Sequence, residues 1–171
     1  MKGCINNKKS FVQLIVMDYR IINSGDIDSL MVIWKVLMKE HKAMEPELYK
    51  LSNIAGDKQR SFFLSSMGSD EKFLYGAFDG KKLVGYAFGW IDSRPPVLDI
   101  QKIGNLSDLI IDPSLRGAGV GKELVNIFID WCKSRGVKKV QLNVLFDKDA
   151  VGFYKKQGFR DFMRKMILDI K

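Results

Sequence analysis

A glycine-rich loop at residues 115–122 constrains the fold of this 171-residue chain more than any other segment. The loop reads Leu-Arg-Gly-Ala-Gly-Val-Gly-Lys, and it follows an apolar run from Leu109 to Ile111 that Asp112-Pro113 closes. An apolar helical segment, Val120 to Cys132, comes after it. Glycines let the backbone turn sharply and approach a ligand, and the first amide N–H groups of a helix have no intrahelical partner. The sequence therefore predicts a strand–loop–helix unit whose loop binds phosphate or pyrophosphate.

The spacing of the loop excludes two common phosphate-binding motifs. A P-loop requires Gly, four residues, Gly-Lys and then a hydroxyl residue. Here Arg116 stands at the first glycine position and Glu123 stands where the hydroxyl should be. The dinucleotide motif Gly-x-Gly-x-x-Gly fails as well, because its third glycine would fall at Lys122.

The arrangement that fits is Arg-x-x-Gly-x-Gly at Arg116, Gly119 and Gly121. It resembles the acyl-CoA loop of the GNAT superfamily of N-acetyltransferases. The resemblance implies acetyl-CoA as cosubstrate, bound through the loop.

A second segment carries the same resemblance. Its Ala-x-x-Phe-Tyr-x-x-x-Gly-Phe pattern is similar to the C-terminal motif of that superfamily, and it consists of Ala150, Phe153, Tyr154, Gly158 and Phe159. The family usually carries Asn three residues before the alanine, where this chain has Asp147. Aspartate can cap the helix, but a carboxylate only accepts hydrogen bonds.

Composition places the chain among globular proteins of one domain. The hydrophobic fraction is 46%, and no apolar run reaches the roughly 18 to 20 residues of a membrane span. We expect a flexible tail at 1–12, the GNAT domain at 13–171, a cytoplasmic location and no membrane partner. The two cysteines, Cys4 and Cys132, do not form a disulfide framework, and no Cys/His spacing predicts a metal site.

The net charge of +8 predicts an affinity for polyanions. Coenzyme A, with its phosphates, is one such partner and nucleic acid is another. No arginine-rich run or nucleic-acid motif accompanies the lysines, so the pattern favours a solvated basic face over nucleic-acid binding.

Periodicity and turn signals predict an α/β fold: a mixed, mostly antiparallel central sheet with helices on both faces, in the order that the GNAT resemblance implies. We expect strands at 12–22, 73–78, 83–91, 100–111 (one strand or a pair), 140–144 and 159–170, the last closing the sheet. Helices are expected at 24–41, 45–51, 58–66, 117–135 and 149–157.

The resemblance implies direct attack of an amine on acetyl-CoA within a ternary complex. Tyr154 would be the general acid that protonates the departing thiolate, and Arg116 and Lys122 would add charge to the loop. The oxyanion would receive backbone N–H donors from the strand Leu109, Ile110 and Ile111. The remaining cofactor-binding positions implied are Gly117, Ala118, Gly119, Val120, Gly121, Asp147 and Ala150.

The general base is left open by the sequence. Relatives often place a Glu where this chain has Ser107, which cannot act as a base unaided. Asp108 follows it, but strand alternation directs Asp108 to the opposite face. Asp99 and His41 are alternatives, the latter with a suitable unperturbed pKa.

The sequence is compatible with three candidate functions. The first is an N-acetyltransferase acting on a primary amine of a small molecule or peptide. The second is an acyl-CoA-binding sensor with little catalysis, suggested by Ser107. The third is a basic nucleic-acid-binding protein. The amine acceptor and the oligomeric state stay open, with a homodimer as one option because relatives often pair through sheet edges.

Overall fold

One five-stranded sheet, in the order β1-β2-β3-β4-β5, organises the computed structural model, which describes residues 16–145 and 148–170. Its first four strands are mutually antiparallel, and β5 runs parallel to β4. The predicted mixed, mostly antiparallel sheet is confirmed. The strands are β1 (Met17–Ile21), β2 (Lys72–Asp79), β3 (Lys82–Ser93), β4 (Lys102–Ile111) and β5 (Val140–Leu142).

Helices cover both faces of the sheet, as predicted. Helices α1 and α2 share one buried cluster with Tyr86 and Ile110, while α3 shares a second cluster with Leu106 on the other face. No helix in the described part of the chain is long and apolar enough to cross a membrane. The helices are α1 (Ile27–Met44), α2 (Ala55–Ser66), α3 (Val120–Ser134) and α4 (Lys148–Lys156).

Local signals set several boundaries. Gly80 adopts a φ of 58° in the tight β2–β3 hairpin, in agreement with the predicted turn. Asn23 and Asp26 form a reciprocal capping box ahead of α1. Helix α3 begins at Val120 rather than at 117, because Gly117 and Gly119 adopt φ values of 82° and 86° that a helix cannot contain.

The helix predicted at 45–51 is wrong. Glu45 leaves the helical region with a φ of −137°, and turns follow it. One bond of α-helical spacing forms, from the Tyr49 N–H to the Glu45 carbonyl at 3.1 Å. A single turn does not recover the entropic cost of starting a helix.

The strand predicted at 159–170 is also wrong: this segment forms neither helix nor strand, and β5 is the last strand described. The edge of β5 is only three residues long, too short to pair with the whole segment. Its large apolar side chains are exposed, namely Phe162, Met163, Met166, Ile167, Leu168 and Ile170. The predicted tail at 1–12 lies outside the described residues, as does the start of the strand predicted at 12–22.

A β-bulge in β4 positions Ser107 and Asp108. Asp108 pairs with Phe88 and Leu106 pairs with Gly89, so Ser107 is the extra residue. Such an insertion shifts the alternation of side chains between the two faces. Leu106 accordingly packs on the α3 face, whereas Asp108 contacts Tyr86, which belongs to the cluster on the α1 face.

Close backbone approach at Gly89 gives a test of this bulge. A Cβ at Gly89 would lie 2.5 Å from the Asn105 carbonyl oxygen and 2.6 Å from the Phe128 ring. We expect Gly89→Ala to lower the free energy of unfolding by about 1–3 kcal/mol in urea titrations. Gly56→Ala is the control: its Cβ meets nothing within 4 Å, and α2 should gain up to about 1 kcal/mol. Equal stability of the two variants would contradict the packing described for the bulge.

Candidate functional site

The glycine-rich loop is held open by its own turn chemistry. The Asp112 carboxylate accepts hydrogen bonds from the Ser114 backbone N–H at 3.0 Å and from its hydroxyl at 2.7 Å, which fixes a short 3₁₀ turn after β4. Gly117 and Gly119 are exposed, and a Cβ at either position would meet nothing within 4 Å. The backbone at these two glycines is therefore accessible from solvent.

The loop leads directly into the N-terminus of α3. The Glu123 N–H bonds to the Gly119 carbonyl at 3.1 Å, so the amides of Val120, Gly121 and Lys122 precede the helical hydrogen-bond ladder. Val120 is buried and anchors this turn, whereas Lys122 is exposed. The first amides of α3 thus supply donors and the positive end of a helix dipole beside the exposed loop.

Arg116 joins the loop to α1. Its Nη2 lies 2.6 Å from Glu40 Oε1, and its Nε donates to the Ile111 carbonyl at 3.3 Å. The guanidinium has five N–H donors, so these two contacts leave others for a phosphate. Arg116, which the sequence predicts to add positive charge to the loop, therefore also connects the loop to α1.

Strand β4 lacks a partner strand along part of its outer edge, next to this loop. Strand β5 pairs only with Gly104–Leu106, while β3 pairs with β4 as far as Ile111. Beyond Leu106, the edge of β4 that faces away from β3 has no partner strand among the described residues. Because alternate residues of β4 direct their backbone groups to β3, only alternate residues among Leu109, Ile110 and Ile111 present theirs to that edge, and the Ile111 carbonyl there accepts the Arg116 Nε. The side chains of Ile110 and Ile111 are buried.

Tyr154 lies on α4 in an aromatic environment. Its ring centroid is 5.1 Å from that of Phe153 and 5.7 Å from that of Phe159. Burial, together with the charge of Asp108, raises the pKa of Tyr154 to about 12. Ala150 is half-buried one turn earlier on the same helix, and Asp147 lies outside the described residues.

The structure brings Asp108 into the site, which strand alternation did not predict. Its carboxylate accepts a hydrogen bond from Tyr86 Oη at 2.8 Å and another from Ser107 Oγ at 2.8 Å. Burial raises the pKa of Asp108, although these two hydroxyls and His41 oppose the shift. Asp108 is adjacent to Ser107 in the sequence, but regular strand alternation directs its side chain to the opposite face. Only the bulge at Ser107 explains why Asp108 contacts Tyr86.

His41 approaches the same carboxylate from α1. Its Nδ1 is buried without a hydrogen-bond partner in the described part of the protein, and its ring centroid lies 4.7 Å from that of Tyr49. Burial lowers the pKa of His41, while the charges of Asp108 and Glu40 raise it. Asp99, the other predicted alternative, is exposed in the loop before β4, at the opposite end of that strand from Ile111.

Comparison with known proteins identifies the family. The family model described as the acetyltransferase (GNAT) family matches residues 34–159. The chain belongs to this family, and both the predicted resemblance and the predicted fold class are confirmed.

Named relatives agree with this assignment. An uncharacterized N-acetyltransferase of Methanocaldococcus jannaschii is 27% identical over 146 residues, which are 83% of this chain and 60% of the relative. A glucosamine 6-phosphate N-acetyltransferase of Trypanosoma brucei brucei is 40% identical over 68 residues, 40% of this chain and 45% of that protein. The chain thus spans less than two thirds of the length of both relatives.

A solved structure shares the fold. The crystal structure of a predicted acetyltransferase from Clostridium acetobutylicum, determined with acetyl-CoA, superposes with a TM-score of 0.74 at 21% identity. The match covers 90% of this chain and 96% of the other.

The proximity of Asp108 and His41 can be measured directly, because His41 is the chain's one histidine. Asp108→Asn should lower the pKa of His41 further, since it removes a negative charge that raises it. The pH dependence of the imidazole signals in NMR reports this value. Asp99→Asn is the matched control and should leave the titration unchanged. An unchanged titration in Asp108→Asn would contradict the arrangement described here.

Proposed function

We propose that the protein is an N-acetyltransferase that transfers the acetyl group of acetyl-CoA to a primary amine of a small molecule or peptide. The amine attacks directly, within a ternary complex. The observation that carries this proposal is that β5 pairs with β4 only as far as Leu106, which leaves the outer edge of β4 next to the glycine-rich loop without a partner strand among the described residues. Membership of the acetyltransferase family supports it.

The residues present suit acetyl-CoA, which supplies the acetyl thioester. The exposed backbone at Gly117–Gly119 and the first amides of α3 would hold the pyrophosphate, with Arg116 and Lys122 adding positive charge. The backbone N–H groups of Leu109–Ile111 would bind the pantetheine arm and the oxygen that becomes negative during attack. No metal enters this proposal.

Tyr154 would assist departure of the thiolate. With a pKa raised to about 12, its phenol stays protonated at neutral pH and always offers a donor. A thiol ionises at about 8.5, so complete proton transfer from the Tyr154 phenol to the thiolate is uphill. Its first contribution is therefore a hydrogen bond to the sulfur as the C–S bond breaks.

The net charge and the named relatives support one class of acceptor. With a net charge of +8, the protein favours an amine that carries an anionic group over a polyamine. The Trypanosoma brucei brucei relative is named for such a compound, glucosamine 6-phosphate. The sensor alternative rests on Ser107, but the adjacent Asp108 supplies the carboxylate that Ser107 lacks.

A substitution in the loop tests acetyl-CoA binding. Gly119→Val places a branched side chain where the pyrophosphate would approach, so we expect a large loss of acetyl-CoA affinity in calorimetric titration. Valine at a φ of 86° also strains the backbone by about 1–2 kcal/mol. Gly68→Val is the matched control, because Gly68 has a φ of 76°, an open Cβ position and a place in the turn before β2. Retained affinity in folded Gly119→Val would refute the assignment of the loop.

Thiol release from acetyl-CoA tests the reaction and the role of Tyr154 together. The panel consists of glucosamine 6-phosphate, an aminoglycoside, amino acids, and peptides with a free N-terminus or lysine. We expect acceptor-dependent release by the wild-type protein and a decrease of about 100-fold in kcat for Tyr154→Phe, with little change in acetyl-CoA affinity.

Tyr75→Phe is the control for this experiment, since Tyr75 stacks on Phe73 in β2 and has no place in the site. Equal losses of kcat and of acetyl-CoA affinity in Tyr154→Phe would remove its assignment as the acid. Binding of acetyl-CoA without release on any amine would favour the sensor function.

A further inference from the structure

A cavity of about 290 Å³ lies where β4 begins, at the end of the sheet opposite the glycine-rich loop. One wall is formed by the β3–β4 loop and the first residue of β4, and the other by the turn between α3 and β5. The lining includes three cations, Lys102, Arg135 and Lys138, and one carboxylate, Asp99. This basic cavity therefore carries an excess of two positive charges.

The basic cavity is separate from the proposed acetyl-CoA site. Lys102 begins β4 and Ile111 ends it, so about 30 Å of strand lies between the cavity and the glycine-rich loop. Arg135 follows the last residue of α3, whereas the first amides of that helix lie beside the loop. A ligand in the basic cavity would thus occupy neither the loop nor the outer edge of β4 next to it.

The three cations have no carboxylate partner. Lys102, Arg135 and Lys138 take part in none of the ion pairs found among the described residues, and Asp99 takes part in none either. The side chains of Lys102 and Lys138 are exposed. Their positive charge is therefore available to an anion from solution.

Arg135 is held in place by neutral groups. Its Cζ lies 4.5 Å from the centroid of the Trp131 ring, and its Nε donates to the Asp70 carbonyl at 2.9 Å. Its Nη1 donates to Ser134 Oγ at 3.1 Å, while Nη2 has no hydrogen-bond partner among the described residues. A guanidinium that is already oriented, with donors to spare, loses little conformational freedom when it binds a phosphate.

Compensation of the helix dipole does not account for the whole cluster. Cations near a helix C-terminus stabilise the dipole, and Arg135 does so through a bond from Nη1 to the Trp131 carbonyl at 3.4 Å. Lys102 belongs to β4, however, and Lys138 lies beyond the turn at Gly136 that ends α3. Two of the three cations therefore need another explanation.

Both walls of the basic cavity are fixed by backbone hydrogen bonds. In the β3–β4 loop, the Arg94 N–H donates to the Gln101 carbonyl at 2.8 Å, directly before Lys102. On the other wall, the Gly104 N–H of β4 donates to the Lys139 carbonyl at 2.9 Å, directly after Lys138. The cations are thus brought together before any ligand binds, which lowers the cost of binding one.

We propose that the basic cavity is a second anion-binding site, which binds a small molecule that carries two or more phosphate groups. Its excess of two positive charges matches such a ligand better than it matches a monoanion. Its volume is at the small end of ligand pockets, which favours a compact molecule over a nucleic acid. No aromatic ring is among the described residues that line it, so the phosphates rather than an attached base would be recognised.

Calorimetric titration with inorganic triphosphate, in the presence of saturating acetyl-CoA, tests this site. Lys138→Gln should weaken binding by about 5-fold, because one partly exposed ionic contact is lost. Asp99→Asn should strengthen binding by about 3-fold, because it removes a carboxylate that repels the ligand. Lys139→Gln is the matched control, since Lys139 is the adjacent exposed lysine and does not line the cavity, and its affinity should equal that of wild type.

A comparison of ligands identifies what the site recognises. ATP should bind as tightly as inorganic triphosphate, because the lining has no ring on which the base could stack. Inorganic phosphate should bind at least about 10-fold more weakly, because it carries fewer charges. Binding of ATP more than about 10-fold tighter than that of triphosphate would indicate a site that reads the base, and would overturn the proposal.

Two further outcomes would overturn it. Equal effects of Lys138→Gln and Lys139→Gln, on triphosphate or on a single-stranded RNA oligonucleotide that binds more tightly, would indicate a diffuse basic surface. Unchanged affinity in Asp99→Asn, or no binding of triphosphate to the wild-type protein, would show that the basic cavity holds no such ligand. The proposed acetyl transfer can fail without affecting this inference, since the two sites share no residue.

Discussion

The incomplete pairing of β4 is the constraint on which the site depends. On one side, β3 pairs with β4 from Lys102 to Ile111, which makes β4 a rigid part of the sheet. On the other side, β5 pairs with only three residues of β4, Gly104–Leu106. Backbone donors on a strand edge normally bond to a neighbouring strand, and beyond Leu106 no described strand takes that place. The buried side chains of Ile110 and Ile111 keep β4 fixed in the core.

The glycine-rich loop and the first turn of α3 form the part of the proposed site that would hold the phosphates of acetyl-CoA. Positive φ values at Gly117 and Gly119 delay the start of the helix until Val120, so its first amides lie beside the exposed loop. Arg116 contacts both Glu40 on α1 and the carbonyl of Ile111. The glycine-rich loop, β4 and α1 are thereby connected by one side chain.

Electrostatics within the site oppose the stability of the fold. Asp108 lies beside the hydroxyls of Tyr86 and Ser107, and burial raises its pKa. The burial of Tyr154, together with the charge of Asp108, raises the pKa of Tyr154. A neutral residue at this position would be less costly to bury. Protein sites that perform acid–base chemistry often place two ionisable groups so that each alters the pKa of the other.

The sequence by itself determined the features whose causes are local. The spacing of Arg116, Gly119 and Gly121, the turn at Gly80 and the motif around Tyr154 predicted the loop, the β2–β3 hairpin and the family, because turn geometry and helix capping depend on neighbouring residues. Tertiary structure decided the rest. The bulge at Ser107 arises from pairing with β3, and it brings Asp108 to Tyr86 and His41 against the alternation expected from sequence. Residues 159–170 look like a strand, yet a strand requires a partner edge, and the three residues of β5 do not supply one.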